Sequence, residues 1–159
     1  MLNILLVDEY SEHIEPIGQR LEQAGCDFAV TTSALRYLVG TVEQTNPDVI
    51  VVNTDWPSRE MLEYLGIVTR DHPRPIVMFA RDEDQETIHA ATDAGVSAYV
   101  IGGFDGARLK AIISAARARF AQIQRLRGNL ALARSTLVKR ELDEQLSAAD
   151  NHRSVIIRA

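Results

Sequence analysis

The chain has 159 residues, of which 46% are apolar and 25% are charged, with a formal net charge of −5, so we expect one compact domain plus an extension. No apolar run approaches the roughly 20 residues of a membrane-spanning helix, and the amino terminus lacks a basic region followed by an apolar one. We therefore expect no membrane span and no secretory signal. Cys26 is the only cysteine, which excludes an intramolecular disulfide and favours a cytoplasmic location.

Five short apolar runs, each followed by an amphipathic segment, predict parallel strands that are covered on both faces by helices. The runs are Asn3–Val7, Asp27–Thr31, Asp48–Val52, Pro75–Phe79 and Ala98–Ile101. Apolar residues recur at helical spacing before Gly25 and again before Gly95, where each helix is expected to end. This alternation predicts a doubly wound α/β sheet, in which the ligand crevice lies beyond the carboxyl ends of the strands.

Polar residues follow the first and third predicted strands at that edge. Asp8 and Glu9 follow the first strand, whereas Asn53 and Asp55 follow the third. Two adjacent acids at the end of a parallel strand suit a hard cation such as Mg²⁺, which prefers oxygen ligands. The alternative is that these acids are simply solvated at a strand end.

Four sequence stretches resemble a response-regulator receiver domain over roughly residues 1–118: ILLVDEY, PDVIVVNTDWP, PRPIVMFA and GVSAYVIGGF. With the following ARARFAQIQRLRGNLALA, the chain is similar to the AmiR/NasT (ANTAR) group, whose receivers continue through a long helix into an RNA-binding helical bundle. The resemblance implies a flavodoxin-like, doubly wound five-stranded parallel sheet of order 2-1-3-4-5 with a long carboxyl-terminal helix extension. It also implies a non-enzymatic, cytoplasmic protein of a bacterial two-component-type system.

The resemblance assigns three positions to a metal site. Asp8 and Glu9 match the family's metal-binding acid pair, and Asp55 lies where the family offers a backbone carbonyl to the metal. Mg²⁺ is therefore a cation that this site could hold, although we expect no cofactor to be required.

Three positions that serve phosphorylation in the family carry other residues here. Asn53 stands at the phosphoacceptor aspartate, Ala80 at a Ser or Thr, and Gly102 at a lysine. Because an amide is not a carboxylate nucleophile and alanine has no hydroxyl, we expect no phosphorylation at this site. Tyr99 matches the family's aromatic switch residue. The remaining alternative is phosphorylation of Asp55, which carries a free carboxylate two residues beyond Asn53.

Other side chains near this edge have structural interpretations. Trp56 with Pro57 is expected to pack in a turn, the alternative being a solvent-facing tryptophan that anchors a partner. The four histidines show no metal-ligand spacing and are expected at the surface. The acidic run at 82–84 is expected to begin a helix, because acids are favourable near the positive end of the helix dipole.

A long helical pattern continues without a proline from about Arg108 to about Ala149. Within it, five apolar residues are spaced three, four, three and four apart, as in the seam of a short coiled coil: Ile123, Leu126, Leu130, Ala133 and Leu137. Gly128 within the helix costs about 1 kcal/mol relative to alanine, and Arg140 occupies the next seam position. We therefore expect a homodimer, with a helix packed back on its own domain as the alternative.

The domains predicted from these patterns are a receiver-like domain at 1–118, a long basic helix at 119–149 and a frayed tail at 150–159. Residues 108–140 contain nine Lys or Arg and no acid, whereas residues 1–107 contain six basic and 18 acidic residues, a net charge of −12. Such a basic helix could follow a nucleic-acid backbone or neutralise an acidic domain. The candidate RNA contacts are Arg125, Arg127 and Arg134, with only Phe120 available for base stacking.

The functional hypotheses follow from these observations. The first is a phosphorylation-independent pseudo-receiver that dimerises through its long helix and contacts a sensor or regulator protein, with no membrane partner. The alternative is an RNA-binding antitermination regulator of the ANTAR type. However, only 19 residues follow Arg140, too few for a three-helix module at the usual helix length of about 11 residues, so that most of the RNA-binding module is expected to be missing.

Overall fold

The computed structural model describes residues 2–30, 34–104 and 106–158. The strands are β1 (Leu2–Asp8), β2 (Cys26–Val30), β3 (Val49–Asn53), β4 (Ile76–Ala80) and β5 (Ala98–Ile101). The helices are α1 (Ser11–Gln23), α2 (Leu38–Thr45), α3 (Arg59–Asp71), α4 (Gln85–Asp93) and α5 (Leu109–Arg158), and a short 3-10 helix (Leu35–Tyr37) precedes α2. Each predicted strand is confirmed to within one residue at either end, except that Thr31 lies outside the described residues.

The five strands form one parallel sheet of order β2-β1-β3-β4-β5. This order confirms the flavodoxin-like, doubly wound α/β fold that the resemblance implies. The register places Asp8 opposite Asn53 and Ala80 opposite Ile101, so the carboxyl ends of the strands lie along one edge. The residues singled out at the strand ends are therefore neighbours in space.

Alternate residues of the central strands enter two separate hydrophobic clusters. On one face, Leu5 and Val7 of β1 pack with residues of α2, α3 and α4, whereas on the other Ile4 and Leu6 pack with α1 and the start of α5. These four side chains are buried, and full burial of such a side chain stabilises the fold by about 1.5–3 kcal/mol. Burial on both faces explains why the strands are continuous apolar runs, and it fixes the position of the edge where they end.

Two of the helices end where glycine was expected. Gly25 follows α1 with φ +81°, and Gly95 follows α4 with φ +104°. Residues with a side chain rarely adopt these positive backbone angles. A Cβ at position 95 would also overlap the side chain of Thr69, whose hydroxyl lies 2.7 Å from the carbonyl oxygen of Ala94. Glycine is therefore required at position 95 for conformational and steric reasons.

The chain divides into two compact units, Met1–Phe120 and Ala121–Ala159, so the boundary lies two residues beyond the predicted one. In the first unit, Leu109 of α5 is fully buried against the sheet. In the second, α5 continues to Arg158, past the end predicted near Ala149, because no proline or glycine after Gly128 interrupts its backbone hydrogen bonds. The fraying of the tail at 150–159 stays a prediction. No helix in the described ranges is long and apolar enough to cross a membrane.

Candidate functional site

The centre of the candidate site is a buried carboxylate at the end of β1. Asp8 is fully buried, and the strand register places Asn53 directly beside it. The Nδ2 atom of Asn53 donates a hydrogen bond to Oδ2 of Asp8 at 2.9 Å. Leaving a buried carboxylate without one of its hydrogen-bond donors costs about 1–3 kcal/mol or more, so the Asn53 amide stabilises Asp8.

Two further donors from the start of α1 surround Asp8. The backbone N–H of Tyr10 donates to Oδ1 at 2.8 Å, and Nδ1 of His13 lies 3.2 Å from Oδ2. The rings of Tyr10 and His13 pack with centroids 5.4 Å apart. His13 is half exposed, as predicted, but its contact with Asp8 was not predicted, because it depends on the way α1 begins above the strand end.

The connection after β4 places an arginine in the site. The backbone carbonyl of Asp55 accepts hydrogen bonds from the N–H groups of Arg81 at 3.0 Å and Asp82 at 3.1 Å. Nε of Arg81 also lies 3.2 Å from Oδ1 of Asp55. Because both side chains are more than half exposed, this ion pair contributes little stability on its own. The sequence analysis missed Arg81 as a site residue, although it directly follows Ala80 and is the only basic residue near the end of β4 in the sequence.

Two of the predicted magnesium ligands, Asp8 and Asp55, take part in hydrogen bonds within the protein. Both carboxylate oxygens of Asp8 and the backbone carbonyl of Asp55 already accept hydrogen bonds, and Glu9 is exposed. Within the part of the chain that the structure describes, no group of three or more His, Cys, Asp or Glu side chains could hold a metal ion. Mg²⁺ binding by Asp8, Glu9 and Asp55 therefore stays a prediction without support from the geometry.

Two of the predicted switch positions, Ala80 and Gly102, lie together at the ends of β4 and β5, and the third, Tyr99, lies within β5. Ala80 is buried, and its carbonyl accepts a hydrogen bond from the N–H of Gly102 at 3.1 Å. Gly102 has φ +102°, which would strain a lysine at this position. The hydroxyl of Tyr99 donates to the backbone carbonyl of Asp82 at 2.8 Å. Burial, and to a lesser extent the charge of Asp82, raise the pKa of Tyr99, so that its hydroxyl remains a donor.

Trp56 lies in the connection between β3 and α3, and 64% of its surface is exposed. The expectation that it packs in a turn is therefore wrong, because α3 starts only three residues later and leaves the indole outside the core. Ser58 caps this helix by accepting a hydrogen bond from the N–H of Met61 at 3.1 Å. At the start of α4 the expected cap is confirmed, with Asp84 accepting from the N–H of Glu86 at 3.3 Å.

The predicted coiled-coil seam lies in the second unit, where it is largely uncovered. More than half of the surface of Leu126, Leu130 and Leu137 is exposed, and Ala133 is exposed as well, whereas Ile123 is partly buried. The three arginines proposed for RNA contact are also exposed: Arg125, Arg127 and Arg134. These exposures leave both the seam and the basic residues accessible to a partner.

Comparisons with known proteins agree with this architecture. The family model described as response regulator receiver domain matches residues 4–114. The chain is 24% identical over 129 residues to the transcriptional regulatory protein PdtaR of Mycobacterium tuberculosis, and this match covers 81% of the chain but only 63% of that protein, less than two thirds of its length.

Solved structures show the same fold at low sequence identity. A pilus assembly-related protein from Burkholderia pseudomallei is similar with a TM-score of 0.67 and 19% identity, covering 75% of this chain and 91% of that one. The chemotaxis protein CheY4 of Vibrio cholerae is similar with a TM-score of 0.63 and 18% identity, covering 72% of this chain and 97% of that one. At these identities the similarity shows the fold alone.

The contact between Asn53 and Asp8 is tested by Asn53→Asp, which replaces a donor with a second carboxylate beside a buried one. We expect this change to lower the free energy of unfolding at neutral pH by about 1.5–3 kcal/mol, measured by urea unfolding followed by circular dichroism. Millimolar Mg²⁺ should restore much of the lost free energy of unfolding in Asn53→Asp, because a cation offsets the repulsion between the two carboxylates. It should not do so in the control Asn53→Ala, whose side chain has neither a hydrogen-bond donor nor a charge. An Asn53→Asp protein as stable as the wild type without Mg²⁺ would contradict this role of the amide.

Proposed function

The chain belongs to the response regulator receiver family, and from that premise we propose that it is a pseudo-receiver that signals without being phosphorylated. In this proposal the protein is a non-enzymatic component of a bacterial two-component-type regulatory system. It forms a homodimer through the coiled-coil seam of α5 and acts by contact with a partner protein, such as a sensor or a regulator. No cofactor is required for this function.

The contact between the Asn53 amide and Asp8 is the observation that supports this proposal most strongly. Formation of an acyl phosphate needs a carboxylate nucleophile, and a neutral amide does not supply one. The amide nitrogen of Asn53 is also committed to Asp8 at 2.9 Å, so the side chain has a structural role in the unmodified protein. Asn53 therefore stabilises the site and cannot serve as its phosphoacceptor.

The surroundings of Asn53 are equally unsuited to a phosphoryl group, which carries nearly two negative charges at neutral pH. Gly102 supplies no cation, and the exposed guanidinium of Arg81 lies beside the carboxylate of Asp55. Ala80 has no hydroxyl to bind a phosphate oxygen. Tyr99 already contacts the connection between β4 and α4 through Asp82, without a phosphate to draw that connection inward. The switch region is thus held by contacts within the protein.

We predict that the protein stays unmodified when it is incubated with acetyl phosphate and Mg²⁺, because the Asn53 amide is not a nucleophile and positions 80 and 102 carry neither a hydroxyl nor a cation to hold the phosphoryl group. Intact-mass spectrometry provides the measurement, with an Asp55→Asn variant treated in parallel. A phosphoryl adduct that is present in the wild type and lost in Asp55→Asn would overturn the proposal and support the alternative of a phosphoreceiver that uses Asp55.

Dimerisation is proposed from the exposed leucines of α5. Leu126, Leu130 and Leu137 lie on one stripe of the helix with more than half of their surface accessible. Full burial of one such side chain against a partner stabilises the association by about 1.5–3 kcal/mol. An isolated helix is marginal in water, so a second copy of the same stripe would stabilise it as a coiled coil.

We expect the wild-type protein to sediment with twice the mass of one chain. Introducing Leu126→Asp together with Leu130→Asp should reduce this to the mass of a single chain, because two charges would be placed in an apolar seam. The control is Leu132→Asp, which changes a residue that is 69% exposed and lies outside the seam, and should leave the dimer intact. Analytical ultracentrifugation gives the masses, and an unchanged mass in the double variant would exclude the proposed seam.

A second candidate function is RNA binding in transcription antitermination, as in the ANTAR group. It is favoured by the nine basic residues and absence of acids at 108–140, and by the similarity to a transcriptional regulatory protein. Exposed Arg125, Arg127 and Arg134 could neutralise RNA phosphates without reading the sequence.

This second candidate predicts binding to structured RNA that weakens as salt is raised. Arg125→Glu combined with Arg127→Glu should reduce the affinity at least about tenfold, because two phosphate contacts become repulsive. The matched control is Arg59→Glu combined with Arg70→Glu, which makes the same change in net charge on the first unit. Filter binding over a range of salt concentrations provides the measurement, and absence of binding at low salt would exclude the candidate.

A further inference from the structure

An open cleft of about 410 Å³ lies beside the candidate site in the first unit. Its lining residues, which define the Trp56 cleft, are Glu9, Tyr10, Thr54, Asp55, Trp56 and Arg81. Trp56 is 64% exposed and Tyr10 is 53% exposed, so two large aromatic side chains present much of their surface to a partner. Tryptophan and tyrosine in such positions are the residues that most often anchor protein contacts.

The internal contacts of the site do not require these exposed ring surfaces. Tyr10 stabilises Asp8 through its backbone N–H, and its ring contacts the ring of His13 while 53% of the residue stays exposed. Trp56 does not belong to either hydrophobic cluster of the core. The stability of the fold therefore gives no reason for both aromatic rings to lie at the rim of one cleft.

The acidic residues around the cleft favour a positively charged partner. Glu9 and Asp55 line the cleft, and Trp56 borders a neighbouring depression with Asp82 and Glu83. Residues 1–107 carry a net charge of −12, which repels nucleic acids and attracts basic segments. A guanidinium or ammonium group can stack on an aromatic ring while it pairs with a carboxylate.

Arg81 shows within the protein that the cleft accommodates a guanidinium group. Its Nε lies 3.2 Å from Oδ1 of Asp55, yet 69% of its side chain is exposed. Because this pair is solvated and weak, a partner's cation can share or replace it at little cost. Glu9 is a second acidic side chain in the cleft and is also exposed.

We propose that the Trp56 cleft binds an arginine- or lysine-bearing segment of a partner protein. Trp56 and Tyr10 supply the aromatic walls, and Glu9 and Asp55 supply the counter-charges. The inference rests on the proposed function, in which the protein signals by protein contact, and adds the docking surface and the chemistry of the partner.

The test uses the 159-residue chain and a fluorescein-labelled oligo-arginine peptide, with binding followed by fluorescence anisotropy. Trp56→Ala should weaken binding by roughly five- to tenfold, the loss expected for one cation–π contact, whereas Trp56→Phe should retain most of the affinity. The matched control is Tyr37→Ala, which removes another exposed aromatic residue, 52% accessible, from the 3-10 helix before α2. Neither Trp56→Ala nor Tyr37→Ala changes the net charge of the protein. If the peptide were held only by its general electrostatic attraction to the acidic protein, both variants would bind it equally well.

A second pair of variants tests the counter-charge. Glu9→Gln should weaken binding of the peptide severalfold, whereas Glu60→Gln, which removes an exposed acid from the first turn of α3, should not. Absence of binding by the wild type, equal effects within either matched pair, or preferential binding of oligo-glutamate or single-stranded RNA would each overturn the inference.

The same Trp56→Ala protein is also examined by circular dichroism, sedimentation and acetyl phosphate treatment. If it stays a folded, unphosphorylated dimer while peptide binding is unaffected, the docking inference fails and the proposed function stands. If the wild type itself is phosphorylated, the proposed function fails whatever the peptide result.

Discussion

The structure of this site depends on one constraint, which is that the buried carboxylate of Asp8 needs hydrogen-bond donors. The parallel register of β1 and β3 places Asn53 beside it, and the amide donates at 2.9 Å. Tyr10 and His13 complete the surroundings of both carboxylate oxygens. A carboxylate at position 53 would instead repel Asp8 unless a cation bound between them. In the proposed function, Asn53 both lacks a nucleophilic carboxylate and stabilises the buried Asp8.

Contacts within the protein also hold the neighbouring connection between β4 and α4. The segment after β4 is bound on one side by the backbone carbonyl of Asp55 and on the other by the hydroxyl of Tyr99. Arg81 adds an exposed ion pair with Asp55. In the proposed function, this site serves as a surface for a protein partner and carries out no phosphoryl transfer. The exposed indole of Trp56 beside acidic groups gives that surface a chemical preference for cations.

The fold and the centre of the site could be predicted from the sequence, because both depend on local patterns. Strands that are buried on both faces appear in the sequence as short apolar runs. The residues that follow parallel strands lie along one edge of the sheet, and this does not depend on the conformations of the loops. The contacts of His13 and Arg81 and the exposure of Trp56 could not be predicted, since they depend on the paths of the connections after β1, β3 and β4. The end of α5 was also placed too early, because the tail has few apolar residues at helical spacing but nothing that breaks a helix.

The claim that the Asn53 amide occupies Asp8 can be tested directly by nuclear magnetic resonance on isotope-labelled protein. The side-chain amide of Asn53 and the backbone amide of Tyr10 both donate to Asp8, so their resonances report on any ligand that reaches it. We predict that neither resonance shifts when Mg²⁺ and beryllofluoride, a mimic of the phosphoryl group, are added together. Saturable shifts of both resonances would show that the site accepts a metal and a phosphoryl mimic, and would contradict the phosphorylation-independent site proposed for this protein.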